Sequence, residues 1–237
     1  MSYQNFQKAQ SSEKVQYDWG LRNYMISVYK YMSFALMLSA IIAYLVGNVP
    51  ALTNIFVFSP LGMLFAFTPL IIVIYMSFAG KNMSFTKARN VFWIYSASMG
   101  ISLASIFLIY TKSSILSVFL VASSMFGVMS IYGYTTKRDL TGLGAFLYMG
   151  LIGLIIATVV NIFIMSDAAS FVMSVIGVII FVGLTAYDVQ MIKNMYYLKG
   201  GGSSAGEDKG AIFAALSLYL DFINIFIYLL RLFGQRK

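Results

Sequence analysis

The sequence has no cysteine and no histidine among its 237 residues. Without Cys there is no disulfide framework, thiolate metal site or thiol nucleophile, and without His there is no imidazole ligand and no usual base for neutral pH. Charge is scarce too. Asp, Glu, Lys and Arg make up 10% of the chain, against about 25% in a soluble domain, while 60% of it is apolar or aromatic. An ordinary soluble domain is excluded, and any proton or cation chemistry falls to eight carboxylates.

The charges that do occur leave long gaps. None lies between Lys30 and Lys81, Arg89 and Lys112, Lys112 and Lys137, Asp139 and Asp167, or Asp167 and Asp188. Each gap holds at least one helix of about 20 residues, enough to cross about 30 Å of hydrocarbon. The runs are apolar on every side, which excludes a barrel of alternating strands. The fold class is therefore all-α: a polytopic membrane protein with seven spans, at about 26–46, 59–79, 89–110, 114–134, 142–165, 169–189 and 211–232. Gly47-Asn48-Val49-Pro50 separates the first two. Residues 1–23 read as a polar N-terminal tail, expected to be retained because it has no apolar signal core, and residues 24–237 as the membrane domain.

Basic residues orient the spans. With the N-terminus inside, twelve of the sixteen fall in inner segments and only Lys112 in an outer loop. The expectation is an N-inside, multi-pass protein whose surroundings are the lipid bilayer. The net charge of +8 is thus used up in topology, so nucleic acid is not expected as a partner. One datum resists: seven complete spans put Arg231, Arg236 and Lys237 outside, so either the upstream bias overrides them or the seventh segment stops short. The run Lys199-Gly200-Gly201-Gly202-Ser203-Ser204-Ala205-Gly206 lacks the spacing of a phosphate loop and reads as a flexible inner connection.

Six acids lie in loops or the tail. The other two are Asp188, at the inner end of the sixth span, and Asp221, near the middle of the seventh. An ionisable group at helix centre costs about 2.5–3.5 kcal/mol on insertion scales, so it marks a functional site by default. Ser217, Asp221, Asn224, Tyr228 and Arg231 share one face of the seventh span at helical spacing. That helix should be surrounded by protein, with Ser217, Asn224, Tyr228 and, from the sixth span, Thr185 supporting the acids. Interhelical hydrogen bonding is the plainer role for Ser217 and Tyr228, and a solvated helix end for Asp188. If the two carboxylates meet, they resist double ionisation and can share a proton. Small residues on the fifth span (Gly150, Gly153, Ala157, Asn161) and the fourth (Ser123, Gly127, Ser130, Tyr134) read as packing seams.

Three strings resemble the Bax inhibitor-1 (transmembrane Bax inhibitor motif) family, its bacterial branch in particular. They are Gly183-Leu184-Thr185-Ala186-Tyr187-Asp188-Val189-Gln190, Thr136-Lys137-Arg138-Asp139-Leu140-Thr141-Gly142, and Ala215-Leu216-Ser217-Leu218-Tyr219-Leu220-Asp221-Phe222-Ile223-Asn224-Ile225-Phe226 followed by Leu229-Leu230-Arg231. The resemblance implies a seven-helix bundle with the last helix central, and a pH-sensitive calcium leak governed by an aspartate pair that carries over onto Asp188 and Asp221. It also implies links to cell-death suppression and, in bacteria, to a membrane-bound protease. The family's pair can be latched by a basic residue on an early helix. The second span here has no Lys or Arg, so such a latch would fall to Arg22, Arg89 or Arg231.

The leading expectation is a proton-gated calcium leak, not an enzyme, with calcium as permeant ion and no tightly bound cofactor. Two aspartates would bind calcium weakly, since it prefers six to eight oxygens, and weak binding suits an ion that must leave. A proton/calcium exchanger would use the same residues. The alternative from another class is an interaction protein that modulates a membrane protease or a stress response without ion flux.

Overall fold

The computed structural model describes residues 3–60, 62–198 and 209–237, with side chains from Trp19 onward apart from Met63. The glycine-rich connection lies outside the described residues. The helices are α1 (Tyr3–Asn48), α2 (Pro50–Thr53), α3 (Gly62–Ala79), α4 (Phe85–Ile109), α5 (Lys112–Thr135), α6 (Thr141–Ile164), α7 (Asp167–Leu198) and α8 (Lys209–Phe233). Seven of them, all but α2, are long and apolar enough to cross a membrane.

Local chemistry sets the ends. Ser84 and Thr111 cap α4 and α5, accepting from the amides of Lys87 and Ser114. At the end of α6, Met165 takes a left-handed conformation (φ 54°), and Asn161 brackets the turn by accepting from Ser166 N and donating to Ser166 O and Ser170 Oγ. Pro69 lies inside α3 and cannot donate to the carbonyl of Phe65, one turn back. Ser102 of α4 reaches across and donates to that oxygen at 3.0 Å, which satisfies in apolar surroundings a group that lipid could not.

Three boundaries differ from the sequence reading. Helix α1 begins at Tyr3 and runs unbroken through residue 23, because polarity sets where a helix leaves lipid and not where it ends. Helix α7 runs nine residues past 189, to Leu198; the ammonium of Lys193 on this extension reaches the carbonyl of Tyr134 at 2.7 Å. The connection after Asn48 is a short helix followed by a π-helical turn over Asn54–Phe58, because Pro50 suits a first helical turn.

Helix α8 is the axis of the bundle, packed against α1, α4, α5 and α7. In its spanning window 61% is buried, against 11% for α6, which packs mainly on α7. We call the end where α8 begins the near end and the end where α1 stops the far end. At the far end Tyr110 bridges Arg236, Thr111 N donates to Gln235 O, and Lys237 N donates to Ile109 O. Helix α8 therefore crosses the whole bundle, and the seventh segment does not stop short.

Glycine contacts fall elsewhere than the small-residue stripes suggested. A Cβ on Gly127 or Gly153 would meet nothing within 4 Å, and one on Gly150 only the tip of Ile180. Two of the close approaches are at Gly133, where a Cβ would lie 2.2 Å from the carbonyl oxygen of Ala186, and at Gly144, beneath the ring of Tyr187. Both seat α7 in the stretch that carries Asp188.

Candidate functional site

Asp188 and Asp221 are both buried, at 6% and 4% exposure. They sit on α7 and α8, which pack along much of their length, close enough for the charge of one to act on the other. Tyr148 of α6 senses both. Its hydroxyl donates to Asp188 Oδ1 at 3.2 Å, and the hydroxyl of Ser217, one turn before Asp221, also reaches the Asp188 carboxylate.

The two acids are not equivalent. Asp188 lines a cavity of about 660 Å³ at the near end, together with Ser217, Tyr148, Tyr187, Lys81 and Lys209. Asp221 lies behind it, and its Oδ2 is a buried oxygen with no hydrogen-bond partner among the described residues. Leaving a buried acceptor unpaired is costly, so a proton or a cation at this oxygen is favoured. Among the described residues no third acid joins the pair and no group of three acids could hold a metal. Asp188, Asp221, Ser217 and Tyr148 together offer six side-chain oxygens, the lower edge of the six to eight that calcium prefers.

The other predicted supporters lie elsewhere. Thr185 donates to Phe181 O and Asn224 to Leu220 O, each within its own helix. Tyr228, two turns beyond Asp221, stacks on Phe181 with centroids 6.0 Å apart and covers Gly177. This aromatic pair closes the far side of the acid site. Arg231 lies over Tyr228, Arg22 over Trp19 and Arg89 over Phe85, so each of the three candidate latch residues is engaged with an aromatic ring.

Three contributors escaped the sequence. Tyr148 comes from a helix 40 positions away with no local signal. Lys81 stands one turn beyond the apolar run of the second span yet lines the cavity with Asp188, so a basic group does face the site from that hairpin. Gln190 explains why two of the motif strings occur together: its Nε2 donates to Arg138 O and its Oε1 accepts from Leu140 N, fastening the α5–α6 turn to α7 two residues from Asp188. In the same turn Asp139 accepts from the amide and hydroxyl of Thr141, and these bonds hold its carboxyl below the usual range.

A second polar cluster lies deeper. Ser39 Oγ contacts Ala35 O, Ser96 O and Tyr219 Oη at 2.9, 2.7 and 2.7 Å. A hydroxyl has one proton, and here it goes to a carbonyl, so Tyr219 is the donor to Ser39. This ties α1, α4 and α8 together two residues before Asp221.

Residues 21–237 match the model of the family described as inhibitor of apoptosis-promoting Bax1. An uncharacterized protein of Rickettsia prowazekii is 44% identical over 227 residues, covering 96% of this chain and 95% of that one. The inner membrane protein YbhL of Escherichia coli is 43% identical over 221 residues, covering 92% and 94%. An uncharacterized membrane protein of Streptococcus pyogenes is 38% identical over 222 residues, covering 93% and 96%.

Proposed function

The chain belongs to the Bax inhibitor-1 family, and on that premise we propose that it is a proton-sensitive calcium leak of a bacterial inner membrane. The observation that carries this reading is the orphaned Oδ2 of Asp221 behind a second buried carboxylate that faces a cavity. Two adjacent buried acids attract a divalent cation strongly enough to draw it from water, and the thin shell lets it go again. Protons compete for the same oxygens. One shared proton allows a short charge-assisted hydrogen bond that keeps α7 and α8 together, and calcium is then excluded. On this reading conduction needs a shift of α7 against α8 that parts Tyr228 from Phe181.

The test is calcium entry into proteoliposomes across a pH series, with empty liposomes as reference. Entry above the reference that declines on acidification supports a leak. Entry that follows an imposed proton gradient makes the protein an exchanger at the same site. No entry at any pH removes ion flux and leaves the family's links to membrane proteases as the basis of its role.

A further inference from the structure

Helices α1 and α5 both pack against α8 but barely touch one another. Between them lies a cavity of about 300 Å³, distinct from the acid site and almost wholly apolar in its lining. Leu36, Ala43, Leu103 and Phe222 are among its walls, and Ala40, Leu116 and Phe119, all exposed, form a rim. Ser39 is the one polar side chain in the wall besides Lys112, and its hydroxyl is fully engaged with Ala35, Ser96 and Tyr219. Nothing there offers water the two to four polar partners it needs.

The depth fits one leaflet. Leu36 lies twelve residues before the end of α1, about 18 Å at 1.5 Å per residue, and half of a bilayer's hydrocarbon is about 15 Å. The mouth is basic. Lys112 lines the cavity where α5 begins, with its ammonium 5.2 Å from the ring of Tyr44. The ammonium of Lys237 donates to the carbonyl of Phe107, another wall residue, at 2.6 Å. No acidic residue lines this cavity. Each ammonium has three donors, so both keep capacity for a phosphate oxygen.

We propose that this cavity seats one acyl chain of an anionic phospholipid, with its phosphate held by Lys112 and Lys237. A dry slot one leaflet deep, open to lipid along its side and ending at two cations, matches such a molecule in shape and charge. A zwitterionic phospholipid fills the slot equally well but brings an ammonium to the same two lysines. The preference therefore comes from the mouth and the retention from the slot.

The experiment titrates the detergent-solubilised full chain with palmitoyl-oleoyl phosphatidylglycerol or phosphatidylethanolamine and counts retained lipids by native mass spectrometry. One phosphatidylglycerol should be retained about tenfold more tightly than phosphatidylethanolamine, a difference of about 1.4 kcal/mol. Lys112→Gln with Lys237→Gln should erase that preference, and Ala43→Phe, which fills the slot, should abolish retention with both lysines intact. Ala40→Phe, on the open rim, serves the same purpose if the buried substitution prevents folding. Equal retention of the two lipids, unchanged retention when the slot is filled, or preferential retention of oleate over phosphatidylglycerol would each overturn the proposal.

Discussion

The phenol of Tyr148 donates to Asp188 Oδ1 at 3.2 Å, and it is the polar bond by which the most lipid-exposed helix grips the acid site. Hydrogen bonds to charged groups are worth about 1.5–3 kcal/mol. Tyr148→Phe keeps the edge-to-face contact with Tyr187 and removes only the bond, so α6 should swing away from α7 more often. A single cysteine at Met191, which lines the cavity, should then label severalfold faster than in the parent. An unchanged rate would mean that the Tyr148 bond does not hold α6 to the acid site.

Calcium flux should fall as pH drops, because each proton gained removes negative charge from the site that attracts the ion. Asp221→Asn should reduce flux about tenfold, equivalent to about 1.4 kcal/mol, and flatten the pH response. Asp188→Asn should do less, since Asp188 faces a cavity and Asp221 is sealed behind it. Flux that rises on acidification in the parent would overturn competition as the cause.

Lys81 and Lys209 line the cavity that Asp188 faces, which on the proposed reading is the cation's way in. Their charge repels calcium over about a Debye length, about 8–10 Å at moderate salt. Lys81→Gln should raise flux severalfold at low ionic strength, and the gain should shrink at high salt. A gain independent of salt would assign Lys81 a direct contact with a carboxylate instead.

Gly133→Ala should be among the most damaging single-methyl additions, because its Cβ would lie 2.2 Å from the backbone oxygen of Ala186. Overpacking of this kind costs about 1–3 kcal/mol, and here it pushes α7 two residues from Asp188. Gly127→Ala and Gly153→Ala, whose Cβ atoms meet nothing, should stabilise by about 0.5–1 kcal/mol through helix propensity. Thermal unfolding of the three variants in one detergent distinguishes these outcomes.

Orientation follows from the inner concentration of basic residues. In a chain without cysteine, introduced cysteines at Asn48 and Ser204 should label from opposite faces of the membrane, Asn48 from outside. Labelling of both from one face would refute the N-inside arrangement.

The number and order of spans were legible because charge-free runs are a one-dimensional signal that lipid imposes directly. Helix ends were less so. Lys193 sits in helix because its long stem carries the ammonium to Tyr134 O, a partner 59 positions away. Asp221 announced itself by the cost of a charge in an apolar helix, whereas Tyr148, two turns into α6, and Lys81, just past α3, are ordinary residues until tertiary packing aims them at Asp188. The glycines of the two small-residue stripes, Gly127 on α5 and Gly153 on α6, misled because spacing alone does not say which face of a helix meets protein. Asn161 belongs to the α6–α7 turn rather than to a seam, a role that its short amide acquires only with Ser166 and Ser170 in place.

Helix α8 is tethered at both ends. The ammonium of Lys209 holds Lys81 O at 2.9 Å at one end, and at the other Thr111 N holds Gln235 O while Gln235 N reaches Ser114 Oγ. A rod pinned this way behaves as an axle: it can neither slide along its length nor turn without tearing out its bearings. If the site conducts, the moving parts are the leaves around this axle: α7, and the α6 that rides on it. Opening would then resemble a door leaving its frame, with the lipid on the outer side of α6 acting as the spring that returns it, so bilayer thickness and stiffness should set the rate as directly as pH does.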